Sequence, residues 1–206
     1  MKKEYLESDT EGLSPEDADK IIEELQESWR ETSKAMNRAI VLYLITAALF
    51  ELLIGSKEDL RFSLAGLQFS NSTTLQRSLP AIAGYLYYDS VVQACRWIDC
   101  QDAFDHLWEK FRPSLGNIAV LMKPSSGVLS IGQRHLGESE KLGEAAQVVM
   151  AITFAIILPI AFCAQSSYLL IDKYGWLDPL SLASIILSIV FVLFGMLFGY
   201  VARRNE

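Results

Sequence analysis

The chain predicts an all-α membrane protein with four transmembrane helices, and three observations carry that expectation. Residues 145–171 and 179–202 contain no charged residue at all, and each exceeds the roughly 20 residues needed to cross about 30 Å of hydrocarbon. Neither run shows the polar face that a soluble helix of such length would carry. Charge supplies the third. With spans at 39–55, 79–95, 146–171 and 179–202, fourteen of the eighteen lysines and arginines share one side with both termini. That bias marks the cytoplasmic face. Three spans would put Arg203 and Arg204 opposite the basic N-terminal region, which fits worse. With 206 residues the chain has room for one domain or one helical bundle.

The elements follow in order. Residues 1–13 are acidic and aperiodic and predict a disordered tail. Residues 14–112 then read as a long helix with span 1, an external loop, span 2 and a cytoplasmic extension. "SPED" (14–17) is a helix start, with Ser14 as cap and Pro15 in the first turn. Apolar residues recur at Ala18, Ile21, Ile22, Leu25, Trp29 and Met36, a helical stripe leading into span 1. No glycine or proline interrupts 16–54, so one continuous helix there would be about 58 Å long. Span 1 lies too far from the N-terminus for a cleaved signal and reads as a signal anchor. The external loop holds "LRFSLAGLQFS" (60–70), whose period-two pattern around Ala65-Gly66 predicts a small extracytoplasmic β-hairpin.

Span 2 contains "GYLYYDSVVQACRW" (84–97), less apolar than its neighbours. Pro80 suits its first turn, and Arg96 with Trp97 suits an interfacial belt. Beyond it, "WIDCQDAFDHLWEKF" (97–111) keeps an apolar stripe at Trp97, Cys100, Phe104, Leu107 and Phe111 until Pro113. Two amphipathic extensions leaving one face of a membrane need cover. Each covering the other predicts an antiparallel helical stalk in the cytoplasm. Residues 113–138 form a cytoplasmic linker rich in Gly, Pro and Ser, in which "IAVLM" and "VLSI" could pair as strands. Residues 139–206 hold spans 3 and 4 and a short external loop. Pro159 predicts a kink in span 3 and frees a carbonyl for a serine or a water to satisfy.

Candidate chemistry is sparse. Gly132 to Gly137 imitates a phosphate loop, but Glu138 stands where such a loop needs lysine. Asp99, Asp102, His106 and Glu109 share a helix face, which reads as solvated rather than metal-binding. The three cysteines match no zinc spacing and read as reduced thiols. With two histidines and no nucleophile–base pattern, the expectation is a protein that is not an enzyme and needs no cofactor or metal. Nineteen acidic residues face fourteen basic ones on the cytoplasmic side, so nucleic acid is not an expected partner. The two span pairs show no internal repeat, against an inverted-repeat transporter.

Two residue sets stand out. Glu51, and the helical stripe Asp89, Gln93 and Arg96 with Tyr85 above it, form a candidate polar pathway, because an intramembrane charge must face protein or water. Ser181, Ser184, Ser188, Gly195 and Gly199 form a candidate helix-packing stripe, within the chain or between chains. The functional expectation is a non-enzymatic, self-associating assembly in the lipid bilayer. It would be a pore or channel, or the membrane subunit of a larger complex with a protein partner on the cytoplasmic side. The alternative is a small proton- or cation-coupled carrier using Glu51 and Asp89.

Overall fold

The computed structural model describes residues 12–55, 62–64, 67–69, 72–115, 149 and 152–204, and over these the chain is nearly all helical. The N-terminal tail up to residue 11, the "IAVLM" and "VLSI" segments and the glycine turn at 132–137 lie outside the described residues. Helix α1 spans Pro15–Gly55. Its start is closed reciprocally: the Asp17 N–H donates to Ser14 Oγ at 3.2 Å, and the Ser14 hydroxyl donates to Asp17 Oδ2 at 2.6 Å. Strands β1 (Phe62–Leu64) and β2 (Leu67–Phe69) pair antiparallel with Phe62 opposite Phe69. A ladder this short depends on what flanks it. Helix α2 spans Ser72–Phe111, and a short 3₁₀ turn follows at Pro113–Leu115. A π turn at Thr153–Ile157 leads into α3 (Leu158–Tyr174), and α4 spans Pro179–Arg204.

Three helical segments are long and apolar enough to cross a membrane: α1, Thr153–Tyr174, and Pro179–Ala202. Helix α2 is not among them. Its central turns carry three tyrosines, Asp89, Gln93 and several small residues in place of aliphatic ones.

The chain divides into two compact units, and α1 and α2 contribute to both. The first comprises residues up to Asn37, Ser90–Gln147 and residues from Leu197 on. Here the N-terminal half of α1 packs on the C-terminal half of α2 through Ile22, Trp29, Phe104, Leu107 and Trp108. Trp29 is the centre. Its ring meets Trp97 at 5.7 Å and Phe104 at 5.6 Å, both within the range of favourable aromatic pairs. Arg112 grips both carboxylate oxygens of Asp19 at 2.7 Å. Asp19 thus meets Arg112 while Trp29 meets Trp97, so the two helices run antiparallel in this unit.

The second unit, Arg38–Asp89 with Val148–Met196, is a four-helix bundle. Gln76 of α2 reaches Leu53 of α1, and Tyr87 reaches Tyr43, so this pair is antiparallel here too. Phe162 of α3 packs edge-on against Tyr43 and Phe50 of α1. Phe191 of α4 meets Tyr85 and Tyr88 of α2.

One sequence expectation needs correcting. Pro80 lies inside α2, not in its first turn, because the helix begins at Ser72. The extra turns place Gln76 and Arg77 among partners on α1, α3 and the α3–α4 turn.

Candidate functional site

Helix α4 is built inside out. Its buried positions are Ser181, Ser184, Ser188, Val192 and Gly195, whereas Ile186, Leu193, Phe194 and Leu197 are more than half exposed. Small residues permit close approach, and the approach is close. A Cβ on Gly84 of α2 would lie 2.9 Å from Ser188 Cα, and one on Gly195 would lie 2.8 Å from Tyr87 Cε1. Real Cβ contacts are not that short, so a side chain at Gly84 would push on the Ser188 backbone and one at Gly195 would displace the Tyr87 ring. In the first unit a Cβ on Gly199 would meet only Val91 Cγ1, at an ordinary 3.5 Å. The face carrying Ser184, Ser188 and Gly195 is therefore directed at α2 of the same chain.

Pro80 lies inside α2 and Pro159 follows the π turn in the first turn of α3, and beside each a backbone group is bonded by a side chain of a neighbouring helix. Pro159 has no N–H, so the carbonyl one turn earlier, on Ala155, loses its helical donor. The Tyr87 hydroxyl donates to that oxygen at 2.6 Å. The donor is thus a tyrosine from α2, in place of the serine or water anticipated from the sequence. Next to Pro80, the Ala81 N–H donates to Ser184 Oγ of α4 at 3.1 Å. Tyr43, buried beside Tyr87, has a hydroxyl with no hydrogen-bond partner among the described residues.

At one end of the bundle a polar clasp joins all four helices. Gln76, 4% exposed, donates to the Leu53 carbonyl at 2.9 Å and accepts from the Tyr174 hydroxyl at 2.5 Å and from Lys173 Nζ at 3.2 Å. Lys173 also donates to the Ile54 carbonyl at the end of α1, where helix carbonyls lack intrahelical donors. Arg77 stacks over Tyr174 at 4.2 Å and pairs with Asp178 at 3.2 Å. Asp178 caps α4 by accepting the Ser181 N–H at 2.9 Å, with Pro179 in the first helical position. Hydrogen bonding from Ser181, helped by Arg77, holds the Asp178 carboxyl below the usual carboxylate range.

The candidate pathway residues are not gathered into one site. Glu51 is exposed, on the outward side of α1 with Leu44, Ile45 and Leu52. Asp89 and Gln93 are half-buried and engaged in further polar or electrostatic interactions, and Arg96 is exposed. The pairing of Tyr43 with Tyr87 and of Leu53 with Gln76 sets Asp89 about ten residues, or about 15 Å, from the level of Glu51. The two carboxylates do not form a proton-sharing dyad.

In the first unit, the indole N–H groups of Trp29 and Trp97 and His106 Nε2 are buried without partners among the described residues. Burial pushes the Cys100 thiol up, and the Asp99 carboxylate adds to this against a hydrogen bond from Ser28. Such a thiol is protonated and unreactive near neutral pH. Among the described residues no group of three or more His, Cys, Asp or Glu is placed to hold a metal ion. No family model, curated protein or solved structure matches the chain.

Gln76, Gly84 and Tyr87 are the residues that sequence reasoning passed over. A signal for Tyr87 existed: a proline in an apolar span implies an unpaired carbonyl, and a tyrosine in a partner span is a donor able to reach it.

Proposed function

We propose that the chain is a multi-pass membrane protein with four spans and cytoplasmic termini, acting as a non-enzymatic oligomeric assembly: a pore, or the membrane subunit of a larger complex. The carrying observation is the inverted α4, with small and hydroxylated residues inside and isoleucine, leucine and phenylalanine outside. Water penalises that arrangement and hydrocarbon favours it. Helix α2 is the fourth span on this reading. Between Arg77 and Arg96, about 28 Å of helix, Asp89 is its only charged residue. Its bundle half touches α1, α3 and α4 together, so Tyr87 and the small residues there are set against protein, while Tyr85 is left exposed. The β1–β2 loop then lies outside the cell and both chain termini in the cytoplasm.

The assembly reading rests on how the bundle is filled. The rings of Tyr43, Phe50, Tyr87 and Phe162 meet edge-on or tilted inside it at 5.7 to 6.4 Å. A conduction path therefore runs between copies, where the outward Glu51 and the polar stripe of α2 are available to line it. Particle mass in lipid nanodiscs tests this. The assembly reading expects the mass of several chains, or of one chain with a stoichiometric partner. A lone monomer, active in proton- or cation-coupled uptake, would overturn it in favour of a carrier.

A further inference from the structure

The turn between α3 and α4 holds two large apolar side chains out of the protein. Trp176 is 74% exposed and Leu177 is 91% exposed. This turn is fixed at both ends. Gly175 sits at φ +84°, a conformation other residues rarely adopt, and its N–H closes α3 on the Ile171 carbonyl at 2.8 Å. Three residues on, Asp178 caps α4 and is itself held by Arg77. Only four residues separate the helices, so the tip has no freedom to fold its tryptophan and leucine back onto the bundle.

We infer that the Trp176–Leu177 turn is an anchor seated in the interfacial layer of the outer lipid leaflet, an inference that rests on the membrane reading above. Its setting argues for lipid as the occupant. The turn continues the exposed apolar faces of α3 and α4, including Tyr168 one turn below Asp172 and Leu180 just past the cap. Around it stand Arg77, Asp172, Lys173 and Asp178, two positive and two negative charges. That balance marks the headgroup level without favouring anionic lipid, so the matching surface is a zwitterionic phosphocholine interface. Tryptophan suits that layer because its ring is apolar while its N–H finds water or headgroup acceptors.

The test uses the full chain in phosphatidylcholine nanodiscs, comparing the wild type with Trp176→Phe so that the difference in emission reports Trp176. Resistance of the reconstituted protein to alkaline carbonate is measured first. The inference expects a blue-shifted difference emission. It should lose most of its intensity in lipid brominated near the headgroup, less in lipid brominated near the chain end, and little to iodide at any salt concentration. Carbonate-resistant protein whose Trp176 emission is quenched by iodide and untouched by bromine would overturn the anchor alone and leave the turn to an external protein partner. Extraction by carbonate would overturn the membrane reading, and the anchor with it.

Discussion

At the scale of single residues, two tyrosines in the bundle core make opposite predictions. Tyr87 satisfies the carbonyl that Pro159 strands, whereas the neighbouring Tyr43 hydroxyl is buried without a partner among the described residues. Removing one member of a buried hydrogen bond leaves the other unpaired at about 1–3 kcal/mol, while removing an already unpaired hydroxyl relieves that penalty. Tyr87→Phe should therefore destabilise the protein by about 1–3 kcal/mol. Tyr43→Phe should be neutral or stabilising. Denaturant titration in a fixed detergent, followed by circular dichroism, measures both. Asp178 makes a prediction in pH. Its carboxyl is held below the ordinary carboxylate range by Ser181 and Arg77, so the stabilisation it provides is complete above the unfolded-state pKa. It is lost as pH falls through the folded-state value. Asp178→Ala should lower the melting temperature at neutral pH, and the gap from wild type should close in strong acid. A gap that stays constant with pH would remove the charge from the account.

Between helices, backbone proximity sets a ranking. A methyl group on Gly84 meets backbone, one on Gly195 meets the edge of a tyrosine ring, and one on Gly199 meets only an ordinary contact with Val91. Backbone yields least, so Gly84→Ala should cost about 1–3 kcal/mol, as overpacking does. Gly195→Ala should cost less, and Gly199→Ala should be neutral or gain from alanine's better helix propensity. Thermal unfolding of the three variants checks the order. The same comparison shows what the sequence made legible. The start of α1 was readable because Ser14, Pro15 and Asp17 act locally, and the exposed faces of α3 and α4 because their apolar runs are long. The Ser184–Ser188–Gly195 stripe was readable as a packing face, but its partner was not. That partner is fixed by Gly84, Ala81 and Tyr87, about a hundred residues away in a helix whose composition gives little sign of its surroundings. Pro80 misled for a related reason. Local rules place proline in a first turn, whereas here it is interior and the Ala81 N–H beside it is taken up by Ser184 of α4.

For the whole molecule, the account depends on α2 crossing the membrane beside helices that are plainly apolar. Composition alone separates α2 from α1, α3 and α4, because its tyrosines, Asp89 and Gln93 lower its hydropathy. Packing bears on the same question: the half of α2 that belongs to the bundle touches each of the other three helices, with Ile82 and Tyr85 left exposed. Sidedness decides the matter. In a background with Cys95, Cys100 and Cys163 replaced, single cysteines at Ser72→Cys and Ser126→Cys bracket α2 from the two sides. A membrane-impermeant maleimide applied to intact cells should label the cysteine at 72 at once and the cysteine at 126 only after permeabilisation. Labelling of both from the same side, with the protein still retained in the membrane, would contradict the four-span account and leave α2 outside the bilayer.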